Sequence, residues 1–283
     1  MLQRKSLAAM AALALGLIGF GAHAARAELP HPWQLGLMPP ASLTAERIYS
    51  FHQFVLWIIT VVALFVLVLL IYVMWRFRAS RNPVPSRTSH NTVIEVLWTV
   101  IPIMILVVIA IPSFKLLYYA DKTHDAQLTL KATGHQWYWS YDYPDSKVSF
   151  DSMIVDDADL KPGQPRLLTV DHPVVLPINT NVRILVASDD VMHAWTLPSL
   201  GVNINAVPGR LNETWMNIVR EGTYYGQCFQ LCGVNHGFMP IEIHAVSKEA
   251  FAKWLADQKK AASNQRNHSG TAGTELAQAA AQH

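Results

Sequence analysis

Two long runs of apolar residues limit this chain to architectures that place helices in a membrane. The first, FVLWIITVVALFVLVLLIYV at 54–73, holds no charged residue, and the second, from Val96 to Tyr119, holds none except Lys115. A helix needs about 20 residues to cross a hydrocarbon layer about 30 Å thick. No water is available there to a free N–H or C=O, so both runs are expected as helices. Trp57, Trp75, Trp98, Tyr118 and Tyr119 stand toward their ends, where aromatic side chains bridge lipid and water. Pro102 and Pro112 are expected to kink the second helix.

The connection RFRASRNPVPSRTSHNT carries Arg76, Arg78, Arg81 and Arg87 and no acid. A basic loop stays on the cytoplasmic side, so both ends of the mature chain are expected on the exported side of the membrane. The N-terminus agrees with this. Arg4 and Lys5 precede an apolar run from Leu7 to Phe20, followed by Ala22-His23-Ala24 and Ala25-Arg26-Ala27. Residues 1–27 therefore read as a secretory signal peptide cut near Ala24 or Ala27, a further membrane anchor being the alternative. An exported segment at 28–50 and a helical hairpin at 51–120 follow.

Beyond the hairpin the composition changes. Residues 121–249 hold 15 Asp or Glu against 9 Lys or Arg, a net of −6 within a chain whose formal net charge is +2. An acidic exported face suits a basic partner, whose approach it would accelerate. Alternating apolar residues in LTLKATG, NVRILVAS, TWMNIV and PIEIHAV read as short strands. The breaks KPGQP, DHP, PGR and EGT favour an antiparallel sandwich or barrel. SKEAFAKWLADQKKAA reads as a short amphipathic helix capped by Ser247, with Phe251, Trp254 and Leu255 on one face. The rest of the stretch to residue 283 is too poor in apolar residues for a core and is expected to be disordered.

Only two cysteines occur, in YYGQCFQLCGVNHGFMP. In an oxidising compartment the count by itself predicts a disulfide. The neighbours point elsewhere. Cys228, Cys232, His236 and Met239 form C-x3-C-x3-H-x2-M, two thiolates, an imidazole and a thioether in one loop. Soft sulfur with imidazole favours copper, whereas zinc sites seldom include a thioether. His193, about 35 residues upstream, can join the site from another strand end. A single-copper site needs one thiolate; two thiolates able to bridge suggest two metals.

These blocks, with IEVLWTVIP, GHQWYWSYDYP, DLKPGQPRLLTVD and ASDDVMHAWTLPSLGVNINAVPGRLN, resemble subunit II of bacterial and mitochondrial cytochrome c oxidase, from the hairpin to about Leu255. The resemblance implies a cupredoxin-like Greek-key domain over 121–250 that holds the binuclear copper centre CuA. Cys228 and Cys232 would bridge two copper ions. His193 and Met239 would complete one, and His236 with the backbone carbonyl of Gln230 the other. Cytochrome c would donate electrons, and haem a of the catalytic subunit I would receive them. Trp137 would be the point of electron entry, and Glu95 the mouth of a proton channel; a plain helix-terminal acid is the other reading of Glu95. Asp142, Asp145, Asp156, Asp157, Asp159, Asp189 and Asp190 are candidates for docking the donor.

The chain departs from the family pattern in two places. Gln230 stands where the family has Glu, and Asn205 where many members have Asp. A neutral amide is a poorer ligand for a hard cation, so an interface magnesium or manganese ion is expected to be weak or missing. A membrane-tethered copper chaperone with a CxxxC site is the alternative function, and would need a βαβ pattern around the cysteines. A subunit of a quinol oxidase would share the architecture but lack the ligand set.

Overall fold

The computed structural model describes residues 27–84 and 86–261, so most of the expected signal peptide and the tail beyond 261 lie outside the described residues. The two apolar runs form helices α1 (Leu43–Arg76) and α2 (Thr92–Asp121). The first starts well ahead of its apolar run. Ser42 caps it by accepting from the Ala45 amide at 3.0 Å, and the Ser42 hydroxyl donates to the Leu200 carbonyl at 2.6 Å. One side chain thus starts the helix and ties it to the domain beyond. The second helix runs unbroken through Pro102 and Pro112. Its cap is Asn91, whose side chain accepts from the Val93 and Ile94 amides. Both helices are long and apolar enough to cross a membrane.

The rest is a two-sheet β sandwich, cupredoxin-like in architecture. One sheet has the order β4-β3-β2-β6-β9, formed by β4 (Val148–Ser152), β3 (Tyr138–Tyr143), β2 (Leu128–His135), β6 (Val182–Ser188) and β9 (Asn212–Met216). The other runs β5-β11-β10-β7-β8, from β5 (Val174–Pro177), β11 (Pro240–Val246), β10 (Gly222–Cys228), β7 (His193–Leu197) and β8 (Val202–Ala206). A two-residue strand, β1 (Ala27–Glu28), adds to β10. The expectation of an antiparallel domain needs correction: β2 pairs parallel with β6, β5 with β11 and β1 with β10. Apolar alternation reports which face of a strand is buried and carries nothing about the direction of its neighbour.

Between the sheets lie Leu130, Ile184, Val186, Trp195, Leu197 and Ile241, all wholly buried. The aromatic block belongs to this core as well as to its edge. Along β3, Trp139, Tyr141 and Tyr143 point inward in alternation. Their polar atoms find partners: the Trp195 indole donates to Tyr141 Oη at 3.2 Å, and Tyr143 Oη donates to the Val175 carbonyl at 2.8 Å. Burial pushes both phenols well above their ordinary pKa, so they stay neutral hydrogen-bonding groups. A helix over 248–261, α3, closes one end as expected, with the Ala250 amide donating to Ser247 Oγ. Its Phe251 and Trp254 pack on Tyr143 and Phe150.

Hairpin and sandwich meet at several points. The Ala41 amide donates to Ser199, the Val219 amide to Ala41, and the Trp215 indole to the Tyr119 carbonyl. Arg47 lies 3.6 Å over the ring of Tyr119. The three hydrogen bonds hold the sandwich on the hairpin end opposite the basic loop, and the Arg47–Tyr119 contact joins α1 to α2.

Candidate metal centre

Strand register gathers the sequence-predicted ligands. β10 ends at Cys228, and β11 begins at Pro240, antiparallel to it, with Gln227 facing Pro240. The residues between must therefore fold into one tight loop, which contributes Gln230, Cys232, His236 and Met239. On its other side β10 pairs with β7, placing Cys228 beside Trp195, two residues from His193 at the start of that strand. Histidine and thiol then come together from chain positions 35 residues apart.

The two thiols are free, with Sγ atoms 3.9 Å apart, well beyond the roughly 2.05 Å of a disulfide. The count-based disulfide is not what this fold forms. His193 Nδ1 lies 3.9 Å from Cys228 Sγ, and His236 Nδ1 3.5 Å from Cys232 Sγ. Met239 Sδ is 3.6 Å from Cys232 Sγ, and the Gln230 carbonyl 3.3 Å from Cys228 Sγ. Donor atoms of His193, Cys228 and Cys232 all fall within 4.8 Å of one another. His193, Cys228, Cys232 and Met239 are buried, and His236 is half-buried.

Two thiols, a thioether and an imidazole nitrogen turned toward one another away from water form a costly arrangement for a bare protein. A soft metal would turn them into ligands, so the donor set fits copper. The surroundings already favour a thiolate. Burial acts to raise the Cys228 thiol, but hydrogen bonds from His193 and the neighbouring backbone outweigh it and bring the pKa to about 7. Burial, and then the charge on Cys228, push Cys232 up to about 12. A second thiolate forms readily only when a cation sits between the two sulfurs.

Around the candidate ligands a set of contacts that sequence reading missed fixes their orientation. Asp190 Oδ1 stands 2.8 Å from His193 Nε2. A carboxylate only accepts, so Nε2 carries the proton and Nδ1 keeps its lone pair for the site. Burial disfavours charge on both groups, but the hydrogen bonds between them and to Cys228 outweigh it, lowering Asp190 and raising His193. The Gln136 amide donates to Asp190 Oδ2 at 2.6 Å, and the Gln136 side chain donates to the Cys232 carbonyl at 2.9 Å. Three loops are clasped in this way. The available signal was position: Asp190 stands three residues before His193, yet it reads from sequence as one more surface acid. Gly134 is a second such residue, since a Cβ there would come within 2.8 Å of the His193 ring.

Trp137 lies half-buried directly against the centre, its indole donating to the Cys232 carbonyl at 3.3 Å. Gly233 has φ +121, and an added Cβ would sit 3.0 Å from the Trp137 ring. The close approach of the indole to the cysteine loop therefore depends on that glycine.

Family comparison settles which architecture this is. The family "Cytochrome C oxidase subunit II, periplasmic domain" matches residues 128–246, and its "transmembrane domain" matches residues 30–116. The chain belongs to the cytochrome c oxidase subunit II family. It is 52% identical over 254 residues to a probable cytochrome c oxidase subunit 2 of Rickettsia bellii, covering 89% of this chain and 94% of that one. With the cytochrome c oxidase subunit 2 of Oenothera berteroana it shares 47% over 237 residues, 81% of this chain and 92% of the relative. The crystal structure of the periplasmic domain of cytochrome oxidase subunit II of Bradyrhizobium japonicum is 51% identical, covering 49% of this chain and 98% of that one, with a TM-score of 0.46.

Other sequence-predicted subunit II residues lie apart from the cluster. Glu95 is at the far end of α2, about 39 Å of helix from Asp121 at 1.5 Å per residue. Its Oε1 accepts from the Asn91 amide at 3.1 Å, closing a reciprocal cap. Among the docking candidates, Asp157 pairs with Arg166 and Asp142 with Lys131, while Asp145 accepts from the Thr129 amide. Asp189 stays 74% exposed beside His135. Asn205 lies in β8, its carbonyl accepting from the Asn212 side chain.

Proposed function

We propose that this subunit holds a binuclear copper centre on Cys228, Cys232, His193, His236, Met239 and the Gln230 carbonyl. It would take electrons from cytochrome c and hand them to haem a of the catalytic subunit for oxygen reduction. The carrying observation is the pair of free, buried thiols 3.9 Å apart, flanked by two imidazole Nδ1 atoms and a thioether. Bound there, copper shared between two thiolates would supply one-electron exchange with little change in bond length, because the charge spreads over both metals.

The chain's own residues do the rest. Asp190 and Gln136 hold His193 and the cysteine loop before any metal arrives, which limits reorganisation. Burial of Cys228, Cys232 and Met239 keeps out water that would protonate or hydrate the sulfurs. Trp137 bridges from the Cys232 backbone toward the surface and serves as the entry point. On the same loop as Cys232, Phe229, Leu231 and Val234 present exposed apolar side chains, and the net-acidic domain suits a basic donor. The sandwich and both mature termini lie on the exported side of a bacterial inner membrane, as the four loop arginines favour. Glu95 enters this reading as the mouth of a proton path into the catalytic subunit.

Copper analysis of the gently purified complex tests the proposal. Two coppers per chain and a mixed-valence spectrum are expected; joined sulfurs with no copper would end it. With Gln230 and Asn205 in place, the same analysis is expected to find no stoichiometric magnesium or manganese. The chaperone alternative loses support, since the cysteines stand at the end of β10 and on its loop to the antiparallel β11, not in a βαβ unit.

A further inference from the structure

Where the two membrane helices approach the sandwich they part into a cleft of about 510 Å³. Its lining is sorted by depth. Arg47 and Glu46, near the start of α1, and Lys115, near the end of α2, stand toward the sandwich. Phe51 and Phe54 on α1 and Pro112 on α2 line the part farther from it. Phe54 opens the uncharged run and lies seven residues beyond Arg47, about 10 Å along the axis. The cleft thus straddles the boundary between headgroups and hydrocarbon, with its charges on the wet side.

Among the described residues none of these three charges has an ion-pair partner, and Arg47 is steadied only by the Tyr119 ring, one turn beyond Lys115. A lysine in an otherwise uncharged membrane run is costly unless its ammonium reaches an anion or water. Two cations and one carboxylate leave the rim at net +1, which one anionic phosphodiester neutralises. A zwitterionic lipid brings no net charge. Below the rim the apolar wall is of the kind an acyl chain covers.

We propose that this cleft binds one anionic phospholipid, its phosphate between Lys115 and Arg47 and an acyl chain along Phe51, Phe54 and Pro112. Such a lipid would fill the gap between the helices where they bear the sandwich. The site makes no use of the copper cluster, and copper content measured on the same samples reports separately on the electron-relay reading.

The test uses the assembled oxidase in nanodiscs of mixed phosphatidylglycerol and phosphatidylcholine, with retained lipid counted by native mass spectrometry as detergent is raised. One phosphatidylglycerol per copy is expected to resist extraction. Lys115→Gln or Arg47→Gln each weakens retention about fivefold and the pair about 25-fold, while Lys115→Arg keeps it. Retention unchanged in the double variant, phosphatidylcholine held equally well, or a helix of another subunit found crosslinked across the cleft from Ser50 would each overturn the proposal. Should the double variant fail to assemble, the same count on the isolated full chain with Lys115→Gln against Lys115→Arg decides it.

Discussion

In the sandwich, Leu130, Ile184, Trp195 and Ile241 are wholly buried, whereas in the hairpin Leu64, Phe65, Val68 and Leu106 each leave more than half their surface open. Both regions are rich in the same apolar side chains. The sandwich packs them against each other, so each buried residue gains about 1.5–3 kcal/mol from leaving water. The hairpin keeps its backbone bonds within each helix and leaves its side chains to lipid or to other subunits. Position can therefore be set finely only in the sandwich. A site whose ligand atoms must stay within a few tenths of an ångström belongs there, on strand ends and a loop braced by Asp190 and Gln136. The hairpin supplies anchorage.

The variants that probe this contrast run from total loss to small shifts. Cys228→Ser is expected to abolish the copper signal and electron transfer while leaving membrane insertion unchanged; insertion that fails along with copper would mean the two regions fold as one. Trp137→Ala is expected to slow reduction by cytochrome c about a hundredfold, the scale of losing a positioned contact, with copper content intact. Equal kinetics in stopped flow would remove Trp137 from the entry route. Gly134→Ala pushes a methyl to 2.8 Å from the His193 ring. It should cost about 1–3 kcal/mol in denaturant unfolding and disturb the copper spectrum, the behaviour of an overpacked interior. On the hairpin side, Glu95→Ala loses a cap worth about 0.5–1 kcal/mol, whereas Glu95→Gln keeps the hydrogen bond to the Asn91 amide. Proton uptake slowed in both variants supports the channel reading; slowed only in Ala, it assigns Glu95 to the helix.

Much of this was legible beforehand. The two helices followed from the lengths of the uncharged runs, and alternation marked β2, β6 and β11 within a residue or so. TWMNIV overran the strand by three residues, because β9 ends at Met216 while Ile218 makes only an isolated bridge to Ser42. The aromatic strand β3 was not read as a strand, because Trp137, Tyr138 and Trp139 in succession mask the alternation of Trp139, Tyr141 and Tyr143. The candidate ligands were visible as residue types at a suggestive spacing, but their bracing was not.

By itself the sequence determined the membrane hairpin and the chemistry on offer: uncharged length compels helices in lipid, and sulfur with imidazole restricts the metals a loop can serve. Only the tertiary structure decided that the strands mix parallel with antiparallel pairs, that the two sulfurs lie close but unjoined, and that Asp190 orients a histidine. Those outcomes depend on which strand neighbours which, a relation between distant segments that no local pattern encodes.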